Sequence, residues 1–210
     1  MHHQKIRILH VITRLVVGGA QENTLLTVAR LDRSRYEVTL ASGPTSGPEG
    51  SLEDQISSDI AFERIPELVR HPHPVNDVVA VGRLYRLMRR HRYHIVHTHT
   101  TKAGILGRLA ARAARVPIII HTPHGHAFHH YLNRAGAAAL TWVERRLVGF
   151  TDQIICLTEA ERQDQGPRLI QQGPGRRDQQ VAEPRQVRLV QSRSPGAQAE
   201  DGLMDREETH

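Results

Sequence analysis

The first 165 residues alternate regularly between short apolar runs and amphipathic helical segments, and this alternation constrains the fold more than any other feature. Strands that alternate with helices build right-handed βαβ units around a parallel sheet. The apolar runs are almost continuous, which is typical of strands buried on both faces. Six of them predict strands: "IRILHVIT", "YEVTLAS", "AFERIPEL", "HIVHTHT", "PIIIHTP" and "TDQIICLT". The sequence therefore predicts an α/β fold, a doubly wound Rossmann-like parallel sheet with strand order 3-2-1-4-5-6, over residues 1–165.

The chain changes character after residue 165. Gln, Arg, Gly and Pro dominate residues 166–210, which have no sustained apolar period. Such a segment cannot bury enough apolar surface to offset the entropy lost on ordering. Because the change falls within a helical pattern that has only begun, we expect an irregular or disordered tail produced by a shifted reading frame or a damaged gene end. A genuine disordered tail is the alternative.

The net charge and the lengths of the apolar segments limit the kinds of partner that the chain is expected to have. The formal charge of +6 favours an anionic partner, either nucleic acid, an acidic membrane surface or a phosphorylated ligand. The arginine-rich tail lacks interleaved aromatic residues, so nucleic acid is not expected. No apolar segment approaches the roughly 20 residues that span a bilayer. The expected location is the cytoplasm, with peripheral contact at the inner face of the membrane left open.

Several positions are expected in the core. The segment "AQENTLLTVARL" has helical spacing that places Leu25, Leu26, Val28 and Ala29 on one apolar face. The single cysteine, Cys156, lies in the apolar run "QIICL" and excludes an internal disulfide. We therefore expect a packed thiol.

Two further predicted helices have sequence features that indicate how each one packs. Gly104 and Gly107 lie inside the small-residue helix "KAGILGRLAARAARV" and predict close packing against a strand. The basic helix "GRLYRLMRRHRYH" has Leu84, Leu87 and Met88 at helical spacing. We expect it to face the core with a solvated basic surface; contact with anionic lipid is the alternative.

Three unusual loops follow predicted strands one, four and five: "VVGGAQEN", "HTHTTKAG" and "HTPHGHAFHH". In doubly wound sheets, ligands bind beyond the carboxyl ends of the strands, where the strand order reverses. That point lies between predicted strands one and four. The convergence of these loops predicts one binding site at this edge.

The first two loops offer candidates for binding an anion. Gly18 and Gly19 precede a helix whose free N–H groups favour negative charge, and their missing Cβ atoms permit close approach. They do not form a dinucleotide fingerprint. Glu22 is either a substrate contact or a surface acid that compensates the helix dipole. Thr100 and Lys102 supply a hydroxyl and a cation, unless the threonines only cap the next helix.

The third loop is rich in histidine. Five histidines lie within residues 121–130, at positions 121, 124, 126, 129 and 130, and His97 and His99 precede them. A zinc site needs three or four defined ligands, often including cysteine or an acid, so no metal is expected. Neutral imidazoles that donate to sugar hydroxyls or phosphate oxygens fit a polar cleft better. His10 is expected to be a satisfied core or strand-end residue.

The segments "GGAQEN", "HIVHTHTTKAGILGRLAARAARVPIIIHTPHGHAF" and "TDQIICLTEAE" resemble the N-terminal half of GT-B glycosyltransferases. The family resembled most is family 4, a retaining group that builds exopolysaccharide, capsule and glycolipid sugars, and the likeness covers residues 5–165. It implies a two-domain enzyme that transfers a hexose from a nucleotide-diphosphate sugar without a metal cofactor. The N-terminal half would hold the glycan or lipid-linked acceptor, and the C-terminal half the donor.

The resemblance also implies roles for single residues. Gly18 and Gly19 would approach the donor diphosphate or the transferred sugar through their backbone. His124, followed by Gly125 and His126, would face the reacting sugar as the catalytic residue that positions it and stabilises charge.

The second Rossmann half, with its basic residues and paired glutamates, is not recognised after residue 165. Losing one strong electrostatic donor typically costs roughly 3 kcal/mol of transition-state stabilisation. We therefore expect the chain alone to be inactive. The alternative is a stand-alone acceptor-binding subunit of a split glycosyltransferase. A weaker one is a nucleotide-sugar epimerase, whose own loop motifs are not evident.

Overall fold

The computed structural model describes residues 4–45, 48–125, 134–158, 161 and 180–182. These residues form one sheet of seven strands in the order β3-β2-β1-β4-β5-β6-β7, and every neighbouring pair is parallel. The strands are β1 (Ile6–Ile12), β2 (Tyr36–Ser42), β3 (Ala61–Arg64), β4 (Ile95–His99), β5 (Ile118–Thr122), β6 (Gln153–Ile155) and β7 (Gln180–Ala182). The helices are α1 (Gly19–Ala29), α2 (Pro74–His91), α3 (Thr101–Ala114) and α4 (Arg134–Val148). A 3-10 helix (Glu53–Gln55) lies between β2 and β3.

The predicted fold class and the order of the six predicted strands are confirmed. The seventh strand, β7, was not predicted; it lies in the segment expected to be a tail and pairs with β6. The rest of residues 166–210 lies outside the described residues, so the boundary at residue 165 stays a prediction. None of the helices that the structure describes is long and apolar enough to cross a membrane.

Alternating side chains of the strands fill two cores, one on each face of the sheet. Leu9 and Val11 of β1 pack in a cluster with Leu84 of α2 and Leu106 of α3. The alternate side chains of β1 and β2, which point to the other face of the sheet, pack against α1. This second cluster includes Ile12, Leu40, Leu25 and Val28. Since successive side chains of a strand point to opposite faces, helices cover both faces, as a doubly wound sheet requires.

The helix α3 lies very close to the sheet because two of its residues are glycines. A Cβ atom at Gly104 would lie 2.4 Å from Cε1 of His121, and one at Gly107 would lie 2.7 Å from Cγ2 of Thr98. Both distances are shorter than real contacts, so the predicted close packing is confirmed.

The predicted apolar face of α1 is partly wrong. Its buried residues are Thr24, Leu25 and Val28, whereas Leu26 is 48% exposed and Ala29 is also exposed. Thr24 can be buried because its hydroxyl donates to the carbonyl of Ala20 at 2.7 Å inside the helix.

The remaining burial expectations are confirmed. Leu84 and Met88 of α2 are buried, and Leu87 packs against the same cluster. The Cys156 thiol is buried.

A buried ion pair, not evident in the sequence, joins α3 to α4. Arg108 Nη2 lies 2.6 Å from Glu144 Oε2, and both side chains are almost fully buried. Arg108 also donates through Nε to the carbonyl of Gly104. The pair therefore fixes α4 against the helix that packs on the sheet.

Candidate functional site

The loops after β1, β4 and β5 leave the sheet at one edge and are tied together by hydrogen bonds. Thr13, which follows β1, places its Oγ1 3.0 Å from Oγ1 of Thr100, which follows β4. The same Thr13 hydroxyl accepts from the amide of Ala103. The amide of Thr100 donates to the carbonyl of Thr122, the last residue of β5. We call this carboxyl edge of β1, β4 and β5, with its loops, the rim.

A cavity of about 310 Å³ opens at the rim. Three cationic residues line it, Arg14, Arg70 and Lys102, together with Gln21 and the threonines at positions 13, 100 and 101. The helices α1 and α3 both begin beside this cavity, at Gly19 and Thr101. Their positive N-terminal ends favour an anion in the same space.

Two carboxylates partly compensate the cations. Lys102 Nζ lies 2.6 Å from Asp77 Oδ1 and also donates to the carbonyl of His71, so its amine is held against the start of α2. Arg14 Nη2 lies 3.5 Å from Glu49 Oε1. Three cations against two carboxylates, with two helix N-termini, leave the cavity electropositive.

The glycine loop leads directly to Gln21, which lines this cavity. Gly18 is the N-cap of α1, and its carbonyl accepts from the amides of Gln21 and Glu22. A Cβ atom added at Gly19 would meet no atom within 4 Å, so the space beside this backbone is free for a ligand. Glu22 is exposed in the first turn of α1, a place that fits either of its expected roles.

Three imidazoles form a hydrogen-bonded series, the histidine chain, on the α1 face of β1 and β4. Nε2 of His124 lies 3.0 Å from Nδ1 of His99, and Nε2 of His99 lies 3.0 Å from Nδ1 of His10. His97 stacks beside them, with its ring centroid 4.1 Å from that of His99, and its Nε2 lies 2.8 Å from the Thr122 hydroxyl. The chain therefore runs from the rim into the core.

Burial keeps these imidazoles neutral. It lowers the pKa of His10 to about 3 and the pKa of His124 to about 4. Burial is also the main cause that holds the pKa values of His97 and His99 well below the ordinary range, and repulsion between neighbouring imidazoles adds to it. At neutral pH each ring then carries one N–H and one bare nitrogen.

Neutrality couples the tautomers of the histidine chain. Each hydrogen bond needs one donor, so the tautomer of one ring fixes the other two. The two ends, Nε2 of His10 and Nδ1 of His124, have no hydrogen-bond partner among the described residues. Both end atoms are buried, so either tautomer series leaves one N–H without a partner among the described residues; only the His124 end lies at the rim, where a bound ligand could accept it. We therefore expect the series in which His124 carries the Nδ1–H.

The backbone after β5 is strained, and a distant acid holds it. His124 has φ +59 and Gly125 has φ +104, while Thr100 of the neighbouring loop has φ +63. Each such non-glycine residue typically costs about 1–3 kcal/mol. The buried Glu161 accepts from the amide of Gly125 at 2.9 Å through Oε1, and from the amide of Leu157 at 2.8 Å through Oε2. A carboxylate thus fixes the His124–Gly125 pair.

Not every predicted residue lies at the rim. His121 faces α3 on the opposite side of the sheet, where its Nδ1 lies 3.0 Å from the Thr98 hydroxyl. His126, His129 and His130 lie outside the described residues. The structure brings Gly18, Gly19, Thr100, Lys102, His124 and Gly125 to one edge; their contacts with a substrate stay predictions.

Sequence reasoning missed Thr13, Arg14, Arg70 and Glu161. The two arginines lie outside the motifs, and Glu161 ends the motif "TDQIICLTEAE", which gives no sign of its contact with Gly125. Only the folded chain brings these residues to the rim.

One nitrogen from each of His10, His97 and His99 lies within 4.8 Å of the others, a spacing compatible with a metal ion. However, His10 and His99 already share an N–H···N bond at 3.0 Å, and this grouping contains neither a carboxylate nor a thiolate. A divalent cation here would be buried without a compensating charge. The geometry fits hydrogen-bonded imidazoles better than a metal centre.

A family model described as "Glycosyl transferase 4-like domain" matches residues 18–177. In Escherichia coli, UDP-Gal:alpha-D-GlcNAc-diphosphoundecaprenol alpha-1,3-galactosyltransferase is 33% identical over 161 residues, which are 77% of this chain and 41% of that protein. The chain therefore spans about two fifths of the length of this curated relative.

Two solved structures share the fold. Sucrose-phosphate synthase from Thermosynechococcus elongatus superposes with a TM-score of 0.63 at 15% identity, over 82% of this chain and 47% of that one. Anabaena Alr3699/HepE in complex with UDP and glucose gives a TM-score of 0.58 at 16% identity, over 89% of this chain and 50% of that one. The likeness covers about half of each GT-B glycosyltransferase and shows the fold alone.

Proposed function

Since the chain belongs to the glycosyl transferase 4-like family, as its sequence predicts, we propose that it transfers a hexose from a nucleotide-diphosphate sugar to a polysaccharide or lipid-linked acceptor. The observation that carries this proposal is the rim. An electropositive cavity, two helix N-termini and a neutral imidazole donor meet there, at the switch point between β1 and β4. Phosphate oxygens and sugar hydroxyls are the groups that such donors bind.

We propose a separate role for each rim residue according to its chemistry. Lys102, Thr100 and the backbone of Gly18 and Gly19 would bind phosphate oxygens, and Glu22 would accept from a hydroxyl at the cavity edge. His124, with Gly125 and His126 beside it, would face the reacting sugar and donate from Nδ1. No step in this scheme needs a metal, because the charge of the leaving diphosphate would be stabilised by the basic residues that the family resemblance assigns to the second unit, together with the backbone of Gly18 and Gly19. We propose transfer with retention of the anomeric configuration.

The acceptor class follows from the relative. The Escherichia coli protein is named for a GlcNAc-diphosphoundecaprenol acceptor, a lipid that carries a sugar on a diphosphate. An acceptor of this class supplies phosphate oxygens and sugar hydroxyls, the groups that the donors proposed at the rim would bind. We therefore propose a diphosphate-linked sugar as the acceptor, reached from the cytoplasmic side of a membrane.

We further propose that the 210-residue chain does not catalyse transfer alone. The described residues form one Rossmann-like unit, and the family resemblance assigns the donor to a second unit. The test compares this chain with the same chain joined to the C-terminal half of the Escherichia coli relative. Both receive radiolabelled UDP-galactose and an alkyl-linked GlcNAc diphosphate, and NMR of the product reports its anomeric configuration.

Transfer by the joined protein only, with a retained anomer, supports the proposal. Turnover by the 210-residue chain would refute its inactivity. An inverted anomer would refute retention. No transfer by a joined protein that circular dichroism shows to be folded would count against the function itself. Activity that returns when the donor half is added as a separate chain would favour a split enzyme.

Contact with the membrane is proposed through the outer face of α2. Val75 and Val78 are 67% and 74% exposed, and Tyr85, about two turns beyond Val78 on the same face, is 39% exposed. Arg86 and Arg89 are exposed beside them. Apolar side chains next to arginines suit an anionic lipid surface. Sedimentation with phosphatidylglycerol vesicles should weaken in V78S and stay unchanged in L109S, a matched exposed leucine on α3; equal binding by both variants would refute this contact.

A further inference from the structure

A second basic cavity, of about 510 Å³, lies at the amino ends of β4 and β5, the edge of the sheet opposite the rim. Four arginines line it: Arg7, Arg89, Arg92 and Arg115. None of the four is in an ion pair within the described part of the chain, and the lining contains no carboxylate. We call it the arginine cavity.

Helix ends alone do not account for this charge. The helices α2 and α3 both end at the arginine cavity, and each C-terminus carries about half a negative charge. Two such ends offset about one of the four positive charges. Glu37, the register partner of Arg7 on β2, offsets part of the rest, and the arginine cavity keeps a net positive charge.

The backbone at this cavity favours glycine, yet arginine is present. Arg92 and Arg115 are the C-caps of α2 and α3 and have φ 49 and φ 59. Glycine is the usual residue in this left-handed conformation, because other residues meet a steric cost there. Arg92 and Arg115 therefore lower the stability of the fold somewhat. At the same time they add positive charge to the arginine cavity.

We propose that the arginine cavity binds a phosphate-bearing anion with at least two negative charges, at a site separate from the rim. Guanidinium groups bind phosphate oxygens in pairs through parallel N–H donors, and several together prefer a dianion to a monoanion. His94 also lines the cavity, and its Nδ1 accepts from the amide of Arg7 at 3.0 Å. The ligand is either a soluble phosphate compound or the headgroup of an anionic phospholipid.

The left-handed backbone provides a variant that separates binding from folding. In the double variant R92G/R115G, glycine relieves the backbone cost and removes two cations. Its melting temperature is expected to equal or exceed that of the parent, while the affinity for inorganic diphosphate measured at the amides of the arginine cavity falls at least tenfold. R30Q, which changes an exposed C-cap arginine on α1 with φ −87, is the charge control.

Amide NMR of the 210-residue chain locates the bound diphosphate. Shifts at Arg92, Tyr93 and Arg115 that vanish in R92G/R115G and persist in R30Q support the site and a soluble ligand. Phosphatidylglycerol vesicles that bind the parent and R30Q but not R92G/R115G support the site with a lipid headgroup as its ligand. The proposal is overturned if the double variant binds both probes as tightly as the parent, or if diphosphate shifts only rim amides and vesicles do not bind.

Discussion

At the scale of the residue, the histidines show what one sequence can and cannot reveal. The loop motif pointed to His124, and burial of His10 follows from its place in an apolar strand. Their connection could not be predicted, because it depends on the register that sets His10 beside His97 and on the turn that brings His124 back to His99. His10 is buried as expected, and its Nδ1 is hydrogen-bonded to Nε2 of His99, whereas its Nε2 has no partner among the described residues.

The coupled tautomers can be observed directly. In histidine-labelled protein, long-range 1H–15N correlation at pH 7.5 should show the Nδ1–H form for His10, His99 and His124. Replacing His10 with Asn keeps an N–H near the Nδ1 position and should preserve the His124 tautomer. H10L removes this donor and should shift His124 toward the Nε2–H form. H97Q, which alters a stacked ring outside the histidine chain, is the control. If the tautomer of His124 is the same in H10L as in the parent protein, the coupling is contradicted.

Stability should fall on mild acidification. The folded-state pKa values of His10 and His124 are about 3 and about 4, below the ordinary value of 6.5, so the unfolded chain binds more protons between these limits. The stabilisation is complete above pH 6.5 and is lost as the pH falls toward the folded-state values. Each such histidine contributes roughly 1 kcal/mol per pH unit within this window.

Urea unfolding at pH 7.5, 6.5 and 5.5 measures this slope. H124Q should reduce the dependence of the unfolding free energy on pH by the contribution of one histidine. H71Q, at an exposed position, should leave this dependence unchanged. A free energy of unfolding that stays constant over this range would show that these imidazoles are not held neutral by the fold.

At the scale of the element, periodicity and glycine placement predicted most of the structure. Apolar runs fixed six strands and their order, and Gly104 and Gly107 predicted how closely α3 approaches the sheet. The strand β7 was missed because three residues in a polar segment give no periodic signal. Leu26 was misplaced because apolar character alone does not decide which side of α1 faces the sheet.

The close approach of α3 predicts a large effect from one methyl group. G104A would force a Cβ to within 2.4 Å of the His121 ring and should destabilise the protein by about 1–3 kcal/mol. The matched control is G82A in α2, where an added Cβ meets no atom within 4 Å. It should stabilise by about 0.5–1 kcal/mol, because alanine loses less entropy on folding. Equal unfolding free energies for the two variants would refute the packing argument.

At the scale of the whole molecule, the sheet separates two basic regions. The rim lies at the carboxyl ends of β1, β4 and β5, and the arginine cavity lies at the opposite edge. The sequence predicted the first from the switch-point rule and from loop motifs. It could not predict the second, because its arginines come from β1, α2 and two helix caps, whose common position follows only from the fold.

The most direct test of the account maps a ligand onto the rim. The 210-residue chain would be titrated with GlcNAc diphosphate on a short alkyl chain, and backbone amide shifts would be followed by NMR. We predict that the amides of Gly19, Thr100, Lys102 and Gly125 shift together with a single affinity. Shifts confined to other surfaces, with these four amides unchanged at saturation, would contradict the claim that the rim binds a carbohydrate phosphate.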